Sequence, residues 1–339
     1  MNMNSPSHID SPASGRLPHL GLLRFAGPDS LSFLQGQISN DVAPLAKGAP
    51  IVAAYSTPQG RVVAVFHLLP HSSGVVALLP REIVLPTLER LRKYVLRAKV
   101  QIEDLSEQFP IMGWHGIAAL THSGLPVPDA TQGYAERNGI GVACVGSDPN
   151  RYWAIGTSQD LDKYAAMTTE TAQRVEHDWR LADIRAGVPQ IYAATREMFV
   201  AQMLNLDLLD GISFTKGCFT GQEIIARTQH LGRIKRRLFR LRLPAGTWAI
   251  GQAVHLADGR TGRLTEVVQS GAEFEALAVL NLEANETVTP DLGAVGPGAH
   301  GPELAGPGAH GAKPDIDSAA NALIAAAQLP LPYSLGSPS

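Results

Sequence analysis

The chain has 339 residues, 45% of them apolar and 17% charged, which is enough for two or three domains with a sizeable core. A net charge of −3 excludes a global attraction to nucleic acid or to an anionic membrane, so any such binding has to come from a local patch. Only two cysteines occur, Cys144 and Cys218, with no CxxC pair; this argues against a disulfide framework and a structural zinc site, and fits a reducing compartment.

Residues 1–17 are polar, carry Pro6 and Pro12, and lack the apolar core of a signal peptide. They predict a disordered N-terminus. No apolar run approaches the length of a membrane span, so a soluble cytoplasmic protein is expected. Residues 20–25 predict a strand that ends at Gly27-Pro28. Asp29 or Ser30 then caps a helix through Gln37. Residues 51–55 and 61–69 read as strands around the turn Thr57-Pro58-Gln59-Gly60, and 75–79 as a third. A helix over 86–95, basic on one side, leads to a strand over 99–102. The order to this point is β-α-β-β-β-α-β.

Residues 111–122, 139–145 and 152–155 predict strands of a second α+β unit, and 160–167 and 171–187 predict helices. A further helix runs over 224–229 and stops near Gly232. From Arg237 onward the segments are short, strand-like and divided by Gly and Pro, which suggests a small β domain. Residues 286–316 break the pattern. Gly-Pro-Gly-Ala-His-Gly occurs there twice, at 296–301 and 306–311. Each copy formally matches GxGxxG, but Pro297 and Pro307 sit inside it and no strand leads into it, so a flexible loop is the reading. An extended tail closes the chain over 329–335.

The most informative motif is Lys216-Gly217-Cys218-Phe219-Thr220-Gly221-Gln222-Glu223. Its glycines allow a tight turn and close approach of a ligand. A lysine beside a thiol favours the thiolate. On residue type alone Cys218 is either a reactive group or a packed core thiol. Trp179, at helical spacing within 176–185, is either core or a stacking surface for a flat heterocycle. Arg233, Lys235, Arg236, Arg237, Arg240 and Arg242 could meet phosphates, or could protect a solvated strand edge. His67 and His71 have metal-ligand spacing only on a helix; Pro70 and the strand-like surroundings exclude that reading. No Walker A sequence and no GxSxG elbow occurs.

Residues 216–223 closely resemble the signature of the YgfZ-type folate-binding proteins, relatives of the aminomethyltransferase (T-protein) of the glycine cleavage system. The resemblance extends to Phe33-Leu-Gln-Gly-Gln-Ile-Ser-Asn-Asp-Val42, to Leu91-Arg-Lys-Tyr-Val-Leu-Arg-Ala-Lys-Val100 with Ile102 and Asp104, and to Arg185-Ala-Gly-Val-Pro-Gln-Ile191. It continues through Gln202, Asn205-Leu206 and Gly211-Ile-Ser-Phe214 to the closing Leu-Pro-Tyr-Ser-Leu, and covers roughly residues 18–285 plus the tail.

The resemblance implies an α+β, T-protein-like fold of two α+β units around a central folate cavity plus a C-terminal β-barrel. It divides the chain into 1–17, a folate-binding region at 18–240, and a barrel-like domain at 241–339 that carries the 286–316 insert. The implied cofactor is tetrahydrofolate or a one-carbon derivative. The implied role is support of iron–sulfur enzymes, including a tRNA-modifying one. Cys218 carries over as the functional thiol and Lys216 as its electropositive neighbour. Trp179 carries over as a pterin contact, with Gly217, Gly221, Gln222, Glu223, Arg185 and Gln202 around the folate. No resident metal is implied, since one cysteine falls short of the usual cluster ligands.

Two departures stand out. The Asp-Asp pair of the aminomethyltransferases is replaced by Ala64 and Val65, which can neither move a proton nor stabilise an iminium, so classical aminomethyl transfer is not expected. The family's second folate-contacting tryptophan is missing near Leu20. Whether the protein is an enzyme stays open. The alternatives are a folate-dependent methyl- or aminomethyltransferase, or a non-catalytic tRNA-binding module that uses Arg233–Arg242.

Overall fold

The computed structural model describes residues 14–129, 133–145, 148–164, 169–230, 234–282 and 323–335. The first unit runs β1 (Ser14–Arg16), β2 (Leu20–Ala26), α1 (Ser30–Gln37), α2 (Ala43–Ala46), β3 (Ile51–Ser56), β4 (Val62–His71), β5 (Gly74–Pro80), α3 (Val84–Arg92) and β6 (Gln101–Asp104). Five of these strands form an antiparallel sheet in the order β3-β4-β5-β2-β6.

The second unit contains β7 (Ile111–His115), α4 (Ile117–Ser123), β8 (Tyr134–Arg137), β9 (Ile140–Val145), β10 (Asp148–Ile155), α5 (Ser158–Leu161) and the long α6 (Thr169–Ala186). Its sheet order is β1-β7-β10-β9-β8. Then come α7 (Gln222–His230), β11 (Arg236–Leu243), β12 (Ala253–His255), β13 (Thr261–Ser270), β14 (Glu273–Asn281) and β15 (Ala327–Leu329). They build a third antiparallel sheet, β12-β13-β14-β11-β15.

Period-two alternation explains how the first two sheets meet. Leu20 and Leu22 of β2, with Val76 and Leu78 of β5, pack on Ile111, Ala143, Val145, Trp153 and Ile155 of the second sheet. The alternate residues Leu23, Phe25, Val75, Ala77 and Leu79 turn to the opposite core, which also takes Phe33, Leu91, Leu204, Leu238 and Leu277. Covered on both faces, β4 is buried from Val62 to Leu69 and reads as a near-continuous apolar run.

Helix α6 is the axle of the molecule. Val175 and Trp179, one turn apart, join the core beneath the second sheet, while Leu181 and Ile184 join the core of the first. Arg180 and Arg185 reach Glu266 and Glu275 of the third sheet.

Four expectations need correction. Ser14–Arg16, expected to be disordered, is an edge strand paired with β7; residues 1–13 lie outside the described residues. The strand expected over 111–122 ends at His115, because Gly116 turns the chain at φ +84° into α4. The strand expected over 99–102 starts later, since the Lys99 backbone is engaged with Asp29, donating to its carboxylate at 2.7 Å and accepting from its N–H. The C-terminal sheet is open: among the described residues β12 and β15 do not close it into a barrel.

The border drawn at residue 240 falls inside β11. The 286–316 insert lies outside the described residues. The closing tail is tied down, with Tyr333 Oη donating to the Gly187 carbonyl at 3.0 Å. No helix among the described residues is long and apolar enough to cross a membrane.

Candidate functional site

The three units meet around a cavity of about 530 Å³, in the size range of small-molecule sites. Its lining comes from His19 between β1 and β2, Arg81 and Glu82 after β5, Arg180 on α6, Tyr192-Ala193-Ala194 beyond it, and Ile250 before β12. Polar groups converge there on an apolar wall.

Arg180 donates to Glu266 at 2.5 Å, and the Tyr192 hydroxyl donates to the other oxygen of the same carboxylate. Burial alone would weaken the charge on Arg180, but the Glu266 carboxylate outweighs it and raises the guanidinium pKa. Burial, reinforced by that carboxylate, pushes the Tyr192 phenol well above its usual value. Glu82 accepts from the Ala193 N–H at 2.6 Å and fixes the wall of the cavity.

In this wall the His19 side chain lacks a hydrogen-bond partner among the described residues. Neither of its ring nitrogens has a hydrogen-bond partner among the described residues, although both are buried. Burial, then the nearby Arg180 charge, lowers its pKa to about 3. The Glu176 carboxylate stands 3.6 Å away, but a neutral imidazole makes no ion pair with it. The Nε of Arg180 is likewise unpartnered among the described residues. Two donor-bearing groups with unused capacity are what a cavity that accepts a polar ligand requires.

Trp179 lies one residue from this lining yet points elsewhere. Its ring has no exposed surface. A Cβ placed on Gly113 would come within 2.4 Å of it, so Gly113 is the floor it rests on. Arg151 stacks over the ring at 5.1 Å, and Arg151 Nη1 donates to Asp183 at 2.6 Å in a buried pair. The accessible pterin face expected of Trp179 is therefore absent, because the second sheet covers it. Deeper still, Gln190 Nε2 donates to His67 Nε2 at 3.2 Å. Burial, then Arg151, lowers His67 to about 4 and keeps it neutral.

The cysteine motif forms a different region, lashed to α1 and to the Gly60 turn. Lys216 donates to the carbonyls of Gln35, Ile38 and Asn40 at 2.7, 2.8 and 2.9 Å. All three ammonium hydrogens are thus spent on the end of α1, and burial lowers the amine to about 8. Lys216 thus clamps the loop, a structural task that the sequence reading did not assign to it. Thr220 N–H reaches the Gly36 carbonyl at 3.2 Å. Gly221, at φ +85°, lies so close to the Gly60 turn that a Cβ would meet the Thr57 carbonyl at 2.6 Å. Gly217 has open space around it, and Cys218 is exposed. Gln222 opens α7, and the exposed Glu223 is 3.8 Å from Arg227.

The remaining predicted residues do not converge on the cavity. Gln202 is buried and donates to the Ile225 carbonyl at 2.7 Å. Arg185 pairs with Glu275 at 2.7 Å. Three arginines of the basic stretch are paired: Arg237 binds Asp207 at 2.6 and 2.9 Å, Arg240 binds Glu275 at 2.6 Å, and Arg242 lies 3.6 Å from Glu273, while Arg236 donates to the Asn281 amide oxygen at 2.8 Å. Arg233 lies outside the described residues. Ala64 and Val65 are wholly buried on β4. The sequence reading missed His19, Arg81, Glu82 and Tyr192. Tyr192 directly follows the 185–191 motif, the one local signal that could have raised it.

No protein-family model matches the chain. Among curated proteins it is 30% identical over 264 residues to the tRNA-modifying protein YgfZ of Hamiltonella defensa, spanning 74% of this chain and 76% of that one. It is 32% identical over 228 residues to the protein of the same description from Colwellia psychrerythraea, spanning 66% and 69%. Among solved structures, aminomethyltransferase T of the glycine cleavage system from Bartonella henselae superposes with a TM-score of 0.59, covering 79% of this chain and 78% of that chain at 15% identity. The last likeness shows the fold, which is that of the T-protein.

Proposed function

The chain belongs to the YgfZ family, and we propose that it binds tetrahydrofolate in the cavity between its three units and supports iron–sulfur cluster assembly or repair in client enzymes, tRNA-modifying ones among them. The observation that carries this reading is His19: a buried imidazole with two unpartnered nitrogens, set in a cavity beside a charged arginine.

The residues present fit a folate. A pterin offers N–H donors along one edge, a carbonyl oxygen and a flat face; its tail ends in carboxylates. Glu82 is a carboxylate available to the N–H edge. Arg81 is a cation available to the tail, and its partner Glu107 is exposed and easily exchanged. Neutral His19 can donate from one nitrogen and accept at the other. Ala193, Ala194 and Ile250 supply apolar wall without filling the space. A one-carbon derivative held there would supply its unit from N5 or N10. Tyr192 and Arg180, tied to Glu266, hold the cavity rigid.

Cys218 is the reactive group of the proposal, and its exposure suits chemistry on a partner protein. Its work is thiol chemistry at a damaged cluster or capture of a one-carbon unit. Classical aminomethyl transfer gains no support from Ala64 and Val65. A cytoplasmic location belongs to the same proposal, since free thiols persist there.

Iron–sulfur enzyme activity in cells that lack the protein, complemented with variants, tests the reading. Cys218→Ser and Ala193→Trp, the second chosen to fill the cavity, should each fail to restore client activity. Full restoration by both would sink the proposal.

A further inference from the structure

One surface of the molecule is unlike the rest. Between Arg90 and Val100 the chain carries Arg90, Arg92, Lys93, Arg97 and Lys99 and no carboxylate, in a protein whose net charge is −3. Of these, Arg90 is 3.2 Å from Glu197, and Arg92 donates to the Ile102 carbonyl. The side chains of Lys93, Arg97 and Lys99 have no ion-pair or hydrogen-bond partner among the described residues. On β11, by contrast, Arg237, Arg240 and Arg242 face Asp207, Glu275 and Glu273, and Arg236 donates to the Asn281 side chain.

The segment is held still while it displays these cations. Val95, Ala98 and Val100 pack inward on the main core. Ala98 N–H donates to the Val95 carbonyl at 2.8 Å, and the Lys99 N–H to the Asp29 carboxylate at 2.7 Å. Outward stand the exposed Lys93, Arg97 and Lys99, the partly exposed ring of Tyr94, and Leu96. Leu96 combines two costs: its backbone is left-handed at φ +43°, and its side chain is 88% exposed. A leucine forced into that conformation only to meet water is a strained residue with nothing in the fold to account for it. Strain of this kind concentrates where a chain meets its ligand.

We propose that residues 92–99 form an RNA-docking surface, with Arg92, Lys93, Arg97 and Lys99 on phosphates and Tyr94 and Leu96 against unstacked bases. Cations interleaved with an aromatic ring are the chemistry of sequence-tolerant single-strand contact. The proposal goes beyond the folate reading and shares with it only the link to tRNA modification.

The test is titration of fluorescent tRNA with the full chain at several salt concentrations. Three to four phosphate contacts predict a log–log slope of about −2 to −4. Lys93→Glu/Arg97→Glu/Lys99→Glu, all at exposed positions, should weaken binding at least about tenfold at low salt and flatten the slope. Tyr94→Ala should weaken it several-fold at every salt concentration with the slope unchanged. Arg242→Glu should change little. Equal binding by the triple variant overturns the proposal. So does absence of tRNA binding together with capture by phosphatidylglycerol vesicles, which would make the surface a membrane contact. Tetrahydrofolate titration of the triple variant separates the two readings, since the cavity residues are untouched and folate binding should match wild type.

Discussion

The cavity and the cysteine loop are built in opposite ways. The cavity draws His19, Arg81, Arg180, Tyr192 and Ile250 from distant parts of the chain, and in its wall the His19 ring nitrogens and Arg180 Nε are buried with capacity to spare. The loop is one contiguous run whose anchoring groups are fully used, leaving an exposed thiol at its tip. A binding site needs unsatisfied groups kept from water; a reactive tip needs the reverse, a satisfied frame and an open end. The proposed folate binding and the proposed thiol chemistry thus fall on two separable regions.

Mutations at the two should differ most in stability. Trp179→Ala removes a wholly buried side chain beside the cavity and should cost about 3–5 kcal/mol in urea unfolding. An effect under about 1 kcal/mol would mean that the ring is not core.

Acid comes next. His19 and His67 have folded pKa values of about 3 and about 4, below the unfolded value of 6.5. The unfolded chain therefore binds protons that the folded one refuses. Their contribution is complete above pH 6.5 and is lost as pH falls toward about 4 for His67 and about 3 for His19. Stability should drop by up to about 1.4 kcal/mol per pH unit for each histidine. His67→Gln should flatten that slope between pH 6.5 and 4; an unchanged slope would remove His67 from the account. The loop carries no such buried histidine.

Within the loop, two glycines four residues apart split the frame from the tip. Gly221→Ala adds a Cβ at positive φ against the Thr57 carbonyl and should cost about 1–3 kcal/mol. Gly217→Ala meets nothing and, with Cys218→Ser, should stay within about 0.5 kcal/mol of wild type. Comparable losses at all three would join the tip to the frame.

What could be read from the sequence follows the same division. The helices of α1, α3, α6 and α7 and, apart from the start of β6, the strands of the first sheet were legible, because periodicity and turn residues are local signals. The 216–223 motif was legible for the same reason. The role of Lys216 was not, since its partners, Gln35, Ile38 and Asn40, lie at and just past the end of α1, remote in sequence. Trp179 shows the limit clearly: helical spacing defines a face but not its cover, and here Gly113 of β7 supplies the cover. The basic stretch at 233–242 looked free because Asp207 and Glu275 are remote in sequence from the arginines they neutralise. The open C-terminal sheet depends on long-range strand pairing, which composition does not encode.

Calorimetric titration with tetrahydrofolate tests the central separation most directly, comparing wild type, Ala193→Trp and Cys218→Ser. Saturable binding by wild type and Cys218→Ser alike, lost in Ala193→Trp, is the expected result. Binding that survives Ala193→Trp but disappears with Cys218→Ser would put the folate at the loop and contradict the account.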